Sequence, residues 1–227
     1  MPKLIENVKQ AAGRMAYAAR LRLEFFRERL ENFLNVRPVD PELVYTYEER
    51  ELMGQSALLL RQFFPGPPGE ALLEEDFESR CDALESFAEK LIGLYGLQGF
   101  EVAVSDNPEL FPPENEPLFG VTQVELGKIY LNANLVQLDQ EEVLSSLVST
   151  VIHELRHAMQ FEAMHLVNTR GVPYSRRKAW RFNQLNYIVS ALDPEGYFKQ
   201  PLEFDARNFS NRIWLEAYQS HIPLGGF

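Results

Sequence analysis

One stretch, residues 139–160, constrains the fold of this chain more strongly than the rest of the sequence. Its apolar residues recur at spacings of three and four, which predicts an α-helix with a broad apolar surface. These residues are Leu144, Leu147, Val148, Val151, Ile152, Leu155 and Met159. We expect Asp139 to cap this helix, with Glu142 completing a capping box. A helix this apolar is largely buried, so the surrounding structure must be built around it.

The same helix carries His153-Glu154-Leu155-Arg156-His157. His153 and His157 are one helical turn apart on one face, so their imidazoles can bind one zinc ion. Because the rest of the helix is apolar, this face must point into a cleft. Glu154 is about 100° round the helix from His153, close to the open side of the metal. The pattern therefore predicts one Zn²⁺, with Glu154 as the base that activates a water molecule.

A catalytic zinc ion takes three protein ligands and keeps one open position, so a third ligand is needed. Glu203 is the predicted third ligand, because it lies in the first turn of a helix opened by Pro201. Asp205 remains an alternative ligand, or an acceptor for the other N–H of a zinc-bound histidine. The other downstream acidic candidates are Glu162, Asp193, Glu195 and Glu216.

Two strands are predicted on either side of a short gap before the central helix. Residues 119–124 and 128–132 are rich in β-branched and aromatic side chains, and Gly127 lies between them. This spacing predicts a β-hairpin. Residues 100–104 alternate apolar and polar side chains, as a half-buried strand does.

The Pro-Gly segment at residues 65–69 is the strongest signal in the chain for a break in secondary structure. We predict a helical N-terminal extension over residues 1–68 and the catalytic domain over residues 69–227. In the extension, an amphipathic helix is expected over residues 3–34 and a second helix over residues 41–64. The first of these helices could dock on a partner, self-associate or pack on the protein itself. Further predicted elements are helices over 71–95, 180–192 and 200–220, and a basic loop over 170–181.

Composition narrows the functional classes. The net charge of −11 argues against general nucleic-acid binding. Cys81 is the single cysteine, which rules out an internal disulfide and a cysteine-based zinc site. No stretch is long and apolar enough to span a bilayer, and charges near Met1 argue against a signal peptide. We therefore expect a cytoplasmic protein.

Residues 153–160 and 197–207 together resemble small gluzincin-type metallopeptidases of bacteria, phages and mobile elements. The resemblance covers about residues 71–220. It implies an α+β, zincin-like fold with a small mixed sheet over the active-site helix. It also implies an edge strand, 120–124 or 128–131 here, that lines the cleft and pairs with extended substrate. The predicted substrate-binding residues are Gly120, Val121 and Thr122.

Three functional hypotheses follow. The first is zinc-dependent peptide-bond hydrolysis by a selective cytoplasmic endopeptidase that acts on a protein substrate. The second is a zincin-fold regulatory or binding protein with little or no turnover. The third is a purely structural helical protein in which the histidine motif arose by chance. Tyr187 and Tyr197 are possible hydroxyl donors at the site, although packing roles are the simpler interpretation for both.

Overall fold

A computed structural model describes residues 45–112, 118–165, 168–189 and 192–218 of the chain. Within them the protein is α+β and mostly helical, which confirms the predicted class at this coarse level. The helices are α1 Tyr47–Phe63, α2 Pro68–Leu73, α3 Phe77–Tyr95, α4 Ala133–Val136, α5 Glu141–Met164, α6 Tyr174–Leu185, α7 Pro194–Lys199 and α8 Pro201–Tyr218. The strands are β1 Glu101–Ser105, β2 Gly120–Gln123 and β3 Lys128–Asn132. None of the described helices combines the length and apolar character that crossing a membrane requires.

The three strands form one mixed sheet in the order β1-β3-β2. β1 runs parallel to β3, whereas β2 runs antiparallel to it with Val121 opposite Tyr130, which confirms the predicted hairpin. A short 3₁₀ turn joins β2 to β3 and ends at Gly127, whose φ is +63°. A Cβ at Gly127 would lie 2.0 Å from the carbonyl oxygen of Gly99, so this turn requires glycine. The order of the strands leaves β2 at one edge of the sheet.

Helix α5 lies at the centre of the hydrophobic core. It packs against α2, α3, α6 and α8 on the helical side, and against β2 and β3 of the sheet. The seven apolar side chains that predicted a buried helix are each no more than 3% exposed. The prediction of a largely buried α5 is therefore confirmed. The polar face of α5, which carries His153 and His157, is the part of the helix that does not pack in this core.

The predicted cap of α5 is wrong. Gln140 occupies the N-cap position, and its side chain makes no capping hydrogen bond. Asp139 instead accepts a hydrogen bond from Arg80 at 2.7 Å. The Arg80 guanidinium is buried and also donates to the carbonyl oxygens of Leu72 and Val136. The buried guanidinium needs an acceptor for each of its N–H groups, and Asp139 provides one of them instead of capping the helix.

Several helix boundaries differ from those predicted, and the helix expected over residues 180–192 instead ends at Leu185. The helix expected over residues 71–95 is divided, because Asp76 caps α3 by accepting a hydrogen bond from the Ser79 backbone N–H at 2.8 Å. The predicted basic loop at 170–181 is partly helical, since α6 begins six residues before Trp180. Trp180 is 1% exposed within a second small cluster of buried apolar residues. Burial of the Trp180 indole explains why residues 174–181 form a helix, although their arginine and lysine side chains favoured a loop.

Helix α1 is the described part of the predicted N-terminal extension, and it falls within the helix expected over residues 41–64. Thr46 and Glu49 form a capping box at its start, with hydrogen bonds of 3.1 and 2.9 Å. Its buried face joins the main hydrophobic core and packs against α3 and α8. The helix predicted over residues 3–34 lies outside the described residues, and the domain boundary after residue 68 remains a prediction.

Candidate metal centre

The two histidines of α5 share one face of the helix. Their Nε2 atoms are 3.1 Å apart, and their rings meet edge to face with centroids 4.7 Å apart. Both side chains are about one-sixth exposed, whereas Ile152 and Leu155 on the other faces are fully buried. The apolar periodicity of α5 therefore sets the direction in which His153 and His157 point.

Helix α8 brings Glu203 to this histidine pair. Glu203 Oε2 lies 3.3 Å from His153 Nε2, and Glu203 Oε1 lies 3.2 Å from His157 Nε2. The residue is 1% exposed and sits in the first turn of α8, as the position of Pro201 predicts. These three side chains form a group that could hold a metal ion.

The donor set and its spacing fit a divalent cation. Zinc takes nitrogen and oxygen ligands at about 2.0–2.2 Å, so two ligand atoms of a tetrahedral site are separated by roughly 3.3–3.6 Å. The two histidine Nε2 atoms are 3.1 Å apart, just below that range, and each has a Glu203 oxygen at 3.2 or 3.3 Å, a different oxygen for each histidine. One ligand atom from each of the three residues lies within 4.8 Å of the other two. Glu203 Oε2 is buried and forms no hydrogen bond with any residue that the structure describes. The Arg207 guanidinium, 4.0 Å away, balances part of the charge on this oxygen without a hydrogen bond, and a metal ion held by the group would balance more of it.

The charges of the group are strongly coupled. Burial favours the neutral form of Glu203, but its two histidine partners outweigh burial and hold its pKa well below the usual range. Burial lowers the pKa of His157, but the hydrogen bond and the charge of Glu203 overcome this effect and raise the pKa to about 9. A metal ion must compete with a proton for His157, so binding would release protons.

A tyrosine pair borders the carboxylate. The Tyr187 hydroxyl donates to Glu203 Oε1 at 2.6 Å, and the Tyr197 ring meets the Tyr187 ring edge to face with centroids 6.2 Å apart. Burial, followed by the charge of Glu203, raises the pKa of both phenols. Both hydroxyls therefore keep their protons near neutral pH. The sequence indicated them only as possible donors, because nothing local shows that Tyr187, two residues after α6, and Tyr197, on α7, line the same cavity as Glu203.

Glu154 lies beside the group rather than in it. Its Oε2 atom accepts a hydrogen bond from the Thr122 hydroxyl on β2 at 2.6 Å, and the residue is 8% exposed. Close approach of β2 to α5 depends on Gly120, where a Cβ would lie 2.7 Å from Thr150 Cγ2 and 3.2 Å from Glu154 Cγ. Hydrogen bonding to Thr122 therefore fixes the direction of the carboxylate.

One cavity of about 470 Å³ contains all of these groups. His153, Glu154, His157 and Glu203 line it together with Gly120, Val121 and Thr122, the three predicted substrate-binding residues. Its apolar lining includes Leu118, Val121, Val124, Phe161, Met164 and Leu202. A mostly apolar cavity with a few convergent polar groups is the usual form of a small-molecule or peptide site.

Asp205, the alternative ligand, points elsewhere. Its carboxylate accepts hydrogen bonds from Arg156 Nε at 2.8 Å and from Arg156 Nη2 at 3.2 Å. Arg156 also donates to Glu49 Oε1 at 2.6 Å, and Glu49 Oε2 accepts from Arg176 at 2.8 Å. Arg156, Glu49 and Asp205 are each no more than 1% exposed. The positive charge of Arg156, which lies between the two histidines in the sequence, is therefore neutralised by buried carboxylates inside the core.

Gln160 connects Asp205 to the histidines. Its Oε1 atom lies 2.8 Å from His157 Nδ1, and its Nε2 atom lies 2.7 Å from Asp205 Oδ2. The sequence analysis missed this role, although a glutamine three residues after a histidine on a helix lies on its face and could have been identified. Of the remaining histidines, His165 is exposed and bonds to the Phe161 carbonyl oxygen, and His221 lies outside the described residues.

Comparison with known proteins gave no relative. No family model matches the chain, and neither a curated protein nor a solved structure matches it. The resemblance to gluzincins is therefore a prediction from the motif, and function has to be inferred from the chemistry of the site.

Proposed function

We propose that this protein is a zinc-dependent peptidase of zincin-like fold that hydrolyses peptide bonds in the cavity between β2 and α5. The observation that carries the proposal is the meeting of His153, His157 and Glu203 with Glu154 held beside them in one cavity. A selective endopeptidase acting on a protein substrate in the cytoplasm fits best, with Cys81 as the single cysteine supporting a reducing compartment.

Two imidazoles and one carboxylate form a donor set that catalytic zinc sites use. Zinc bound there would act as a Lewis acid and lower the pKa of a water molecule towards neutrality. The three ligands reside on two long helices, α5 and α8, which pack directly against each other. Rigid elements of this kind hold ligands in place before the metal arrives.

Glu154 has the position of a general base. It removes a proton from the attacking water and returns it to the leaving amine, which requires a carboxylate close to the cation but not bound to it. The Thr122 hydroxyl, 2.6 Å from Glu154 Oε2, keeps one oxygen occupied and leaves the other for the proton. Tyr187 borders the group, but its single hydroxyl proton is donated to Glu203 at 2.6 Å, so it would have to leave Glu203 before it could donate to a substrate oxygen.

Strand β2 supports a peptide as the substrate. It lies at the edge of the sheet, paired on one side with β3, and its residues line the cavity. An extended peptide can add to such an edge through main-chain hydrogen bonds. The substitution of any larger residue for Gly120 would push the strand away from the helix that carries the base.

The test compares the zinc-loaded protein with the Glu154→Gln variant on a proteome-derived peptide library. We expect the wild type to cleave library peptides and the variant to be slower by about 10²–10⁴-fold in kcat/KM. The zinc affinity of the variant should stay close to that of the wild type, since Glu154 is not a ligand. Equal cleavage by both proteins, or none by a fully zinc-loaded wild type, contradicts the proposal.

A further inference from the structure

The side-chain amide of Gln160 has only one possible orientation. Gln160 is 1% exposed, and one end of its amide faces two acceptors, the Leu202 carbonyl oxygen at 3.0 Å and Asp205 Oδ2 at 2.7 Å. A carbonyl oxygen can only accept, and the Asp205 carboxylate oxygens also accept from Arg156, at 2.8 and 3.2 Å. The amide nitrogen must therefore occupy this end, which leaves the amide oxygen facing His157.

That orientation determines which nitrogen of His157 carries hydrogen. The Gln160 oxygen cannot donate, so the His157 Nδ1 atom 2.8 Å away must be the donor. In the neutral imidazole the free lone pair is then on Nε2. This is the atom that lies 3.1 Å from His153 Nε2 and 3.2 Å from Glu203 Oε1.

We propose that Gln160 is a positioning residue of the metal centre, which holds His157 in the Nδ1–H tautomer and so directs the Nε2 lone pair at the cation. The proposal concerns the metal-binding group itself and does not depend on peptidase activity. Partners of this kind fix the ring direction of a metal-binding histidine and raise its basicity.

A chain of buried hydrogen bonds holds Gln160 in place. Asp205 is held by two hydrogen bonds from Arg156, and Arg156 is held in turn by Glu49 at 2.6 Å. The chain His157–Gln160–Asp205–Arg156–Glu49 therefore extends from the cavity through α8 to α1. Each link beyond His157 is buried, which excludes water that could offer Gln160 another partner.

The first test is zinc affinity, measured by competition with a chromophoric chelator. Gln160→Leu keeps the approximate size of the side chain and removes the acceptor, and we expect a 10–100-fold loss of affinity. Gln184→Leu is the matched control: Gln184 lines the same cavity without a described hydrogen bond to a histidine, and its loss should change affinity less than about twofold. Affinity of Gln160→Leu within twofold of wild type, or an equal loss in the control, overturns the proposal.

The second test needs no variant and reads the tautomer directly. In the zinc-loaded, ¹⁵N-histidine-labelled wild type, we expect long-range NMR spectra to show His157 with a proton on Nδ1 that exchanges slowly with water. A proton on His157 Nε2, with the metal on Nδ1, would refute the assignment even if Gln160→Leu failed to fold. Absence of peptide cleavage with this tautomer present would instead count against the peptidase alone.

Discussion

At the scale of single residues, Glu203 decides what the histidine pair can do. Without it, His153 and His157 would be two polar side chains on a helix. With it, three ligand atoms converge from two helices, and one carboxylate oxygen is buried without a hydrogen bond from the described residues. A cation held by this group would add to the charge balance that Arg207 gives Glu203 from 4.0 Å away.

Glu203→Gln should therefore weaken zinc binding by more than the 10–100-fold expected for residues that only support a ligand. Asp205→Asn, which alters a carboxylate bound to Arg156 and Gln160, should affect folding stability more and zinc affinity less. Chelator competition together with chemical denaturation separates the two effects. If Asp205→Asn loses more zinc affinity than Glu203→Gln, the ligand assignment is reversed.

Thr122 gives a second prediction at this scale. Its hydroxyl donates to the Glu154 carboxylate, and a hydrogen bond to a charged group contributes about 1.5–3 kcal/mol. Thr122→Val should lower kcat by roughly 10-fold or more with little change in zinc affinity. Thr150→Val is the control, since the one hydrogen bond of the Thr150 hydroxyl among the described residues is made within α5, to the Ser146 carbonyl oxygen. Similar kcat losses in both variants would show that Thr122 does not position the base.

At the scale of elements, α5 can carry the candidate site because each of its faces contacts a different part of the fold. The apolar faces pack in the core, the histidine face meets α8, and Gly120 allows β2 to approach the carboxylate of Glu154. The close approach of this strand is as important to the site as the ligands, because β2 supplies both the hydroxyl that holds the base and the wall of the cavity.

Gly120→Ala should separate β2 from α5 and reduce both stability and activity. The added Cβ would lie 2.7 Å from Thr150 Cγ2, and overpacking of this kind costs about 1–3 kcal/mol. Gly93→Ala makes the same chemical change in α3, where no described residue outside the surrounding turns of the helix lies within 4 Å of the added Cβ, and it should stabilise the protein by about 0.5–1 kcal/mol. Denaturant unfolding measures both, and a destabilised Gly93→Ala or a neutral Gly120→Ala would contradict the packing described here.

Helix α1 is joined to α5 and α8 by buried charge. Burial raises the pKa of Glu49, but Arg156 and Arg176 outweigh this effect and hold the pKa below its ordinary value of 4.5. A carboxylate whose pKa is lower in the folded protein than in the unfolded protein stabilises the fold at any pH above its unfolded-state pKa. This stabilisation is lost as the pH falls through the folded-state pKa. Glu49 thus contributes to stability at neutral pH, and the contribution fades below about pH 4.5.

Glu49→Gln should cost about 3 kcal/mol at pH 7, because it leaves the buried Arg156 with one carboxylate partner instead of two. The difference from wild type should shrink as pH falls below 4.5, where Glu49 becomes protonated in the unfolded protein. Glu48→Gln, at an exposed position next to it, should change stability by less than about 0.5 kcal/mol. A difference between Glu49→Gln and wild type that stays constant down to pH 3 would contradict this account.

At the scale of the whole molecule, local patterns were sufficient to predict several parts of the structure. Periodicity predicted α5, the glycine gap predicted the β2–β3 hairpin, and Pro201 predicted the helix start that carries Glu203. Each of these signals lies within a few residues of what it predicts.

Long-range pairings had no such signal. Arg156 pairs with Glu49, which is 107 positions away, and Asp139 pairs with Arg80 instead of capping its own helix. The sequence offers many acids for each arginine, and only the packed fold selects one. The same reason explains why Gln160 was not assigned to the site and Tyr187 was only a possible donor there, since their roles depend on where Asp205 and Glu203 come to lie.

The central claim is that one zinc ion, held by His153, His157 and Glu203, makes this protein a peptidase. The most direct measurement titrates metal-free protein with zinc while following cleavage of a peptide selected from the library. We predict no cleavage at the start, a linear rise, and a plateau at one equivalent of zinc per chain. Cleavage by the metal-free protein, or a protein that takes up one equivalent and still leaves every peptide intact, would contradict the account.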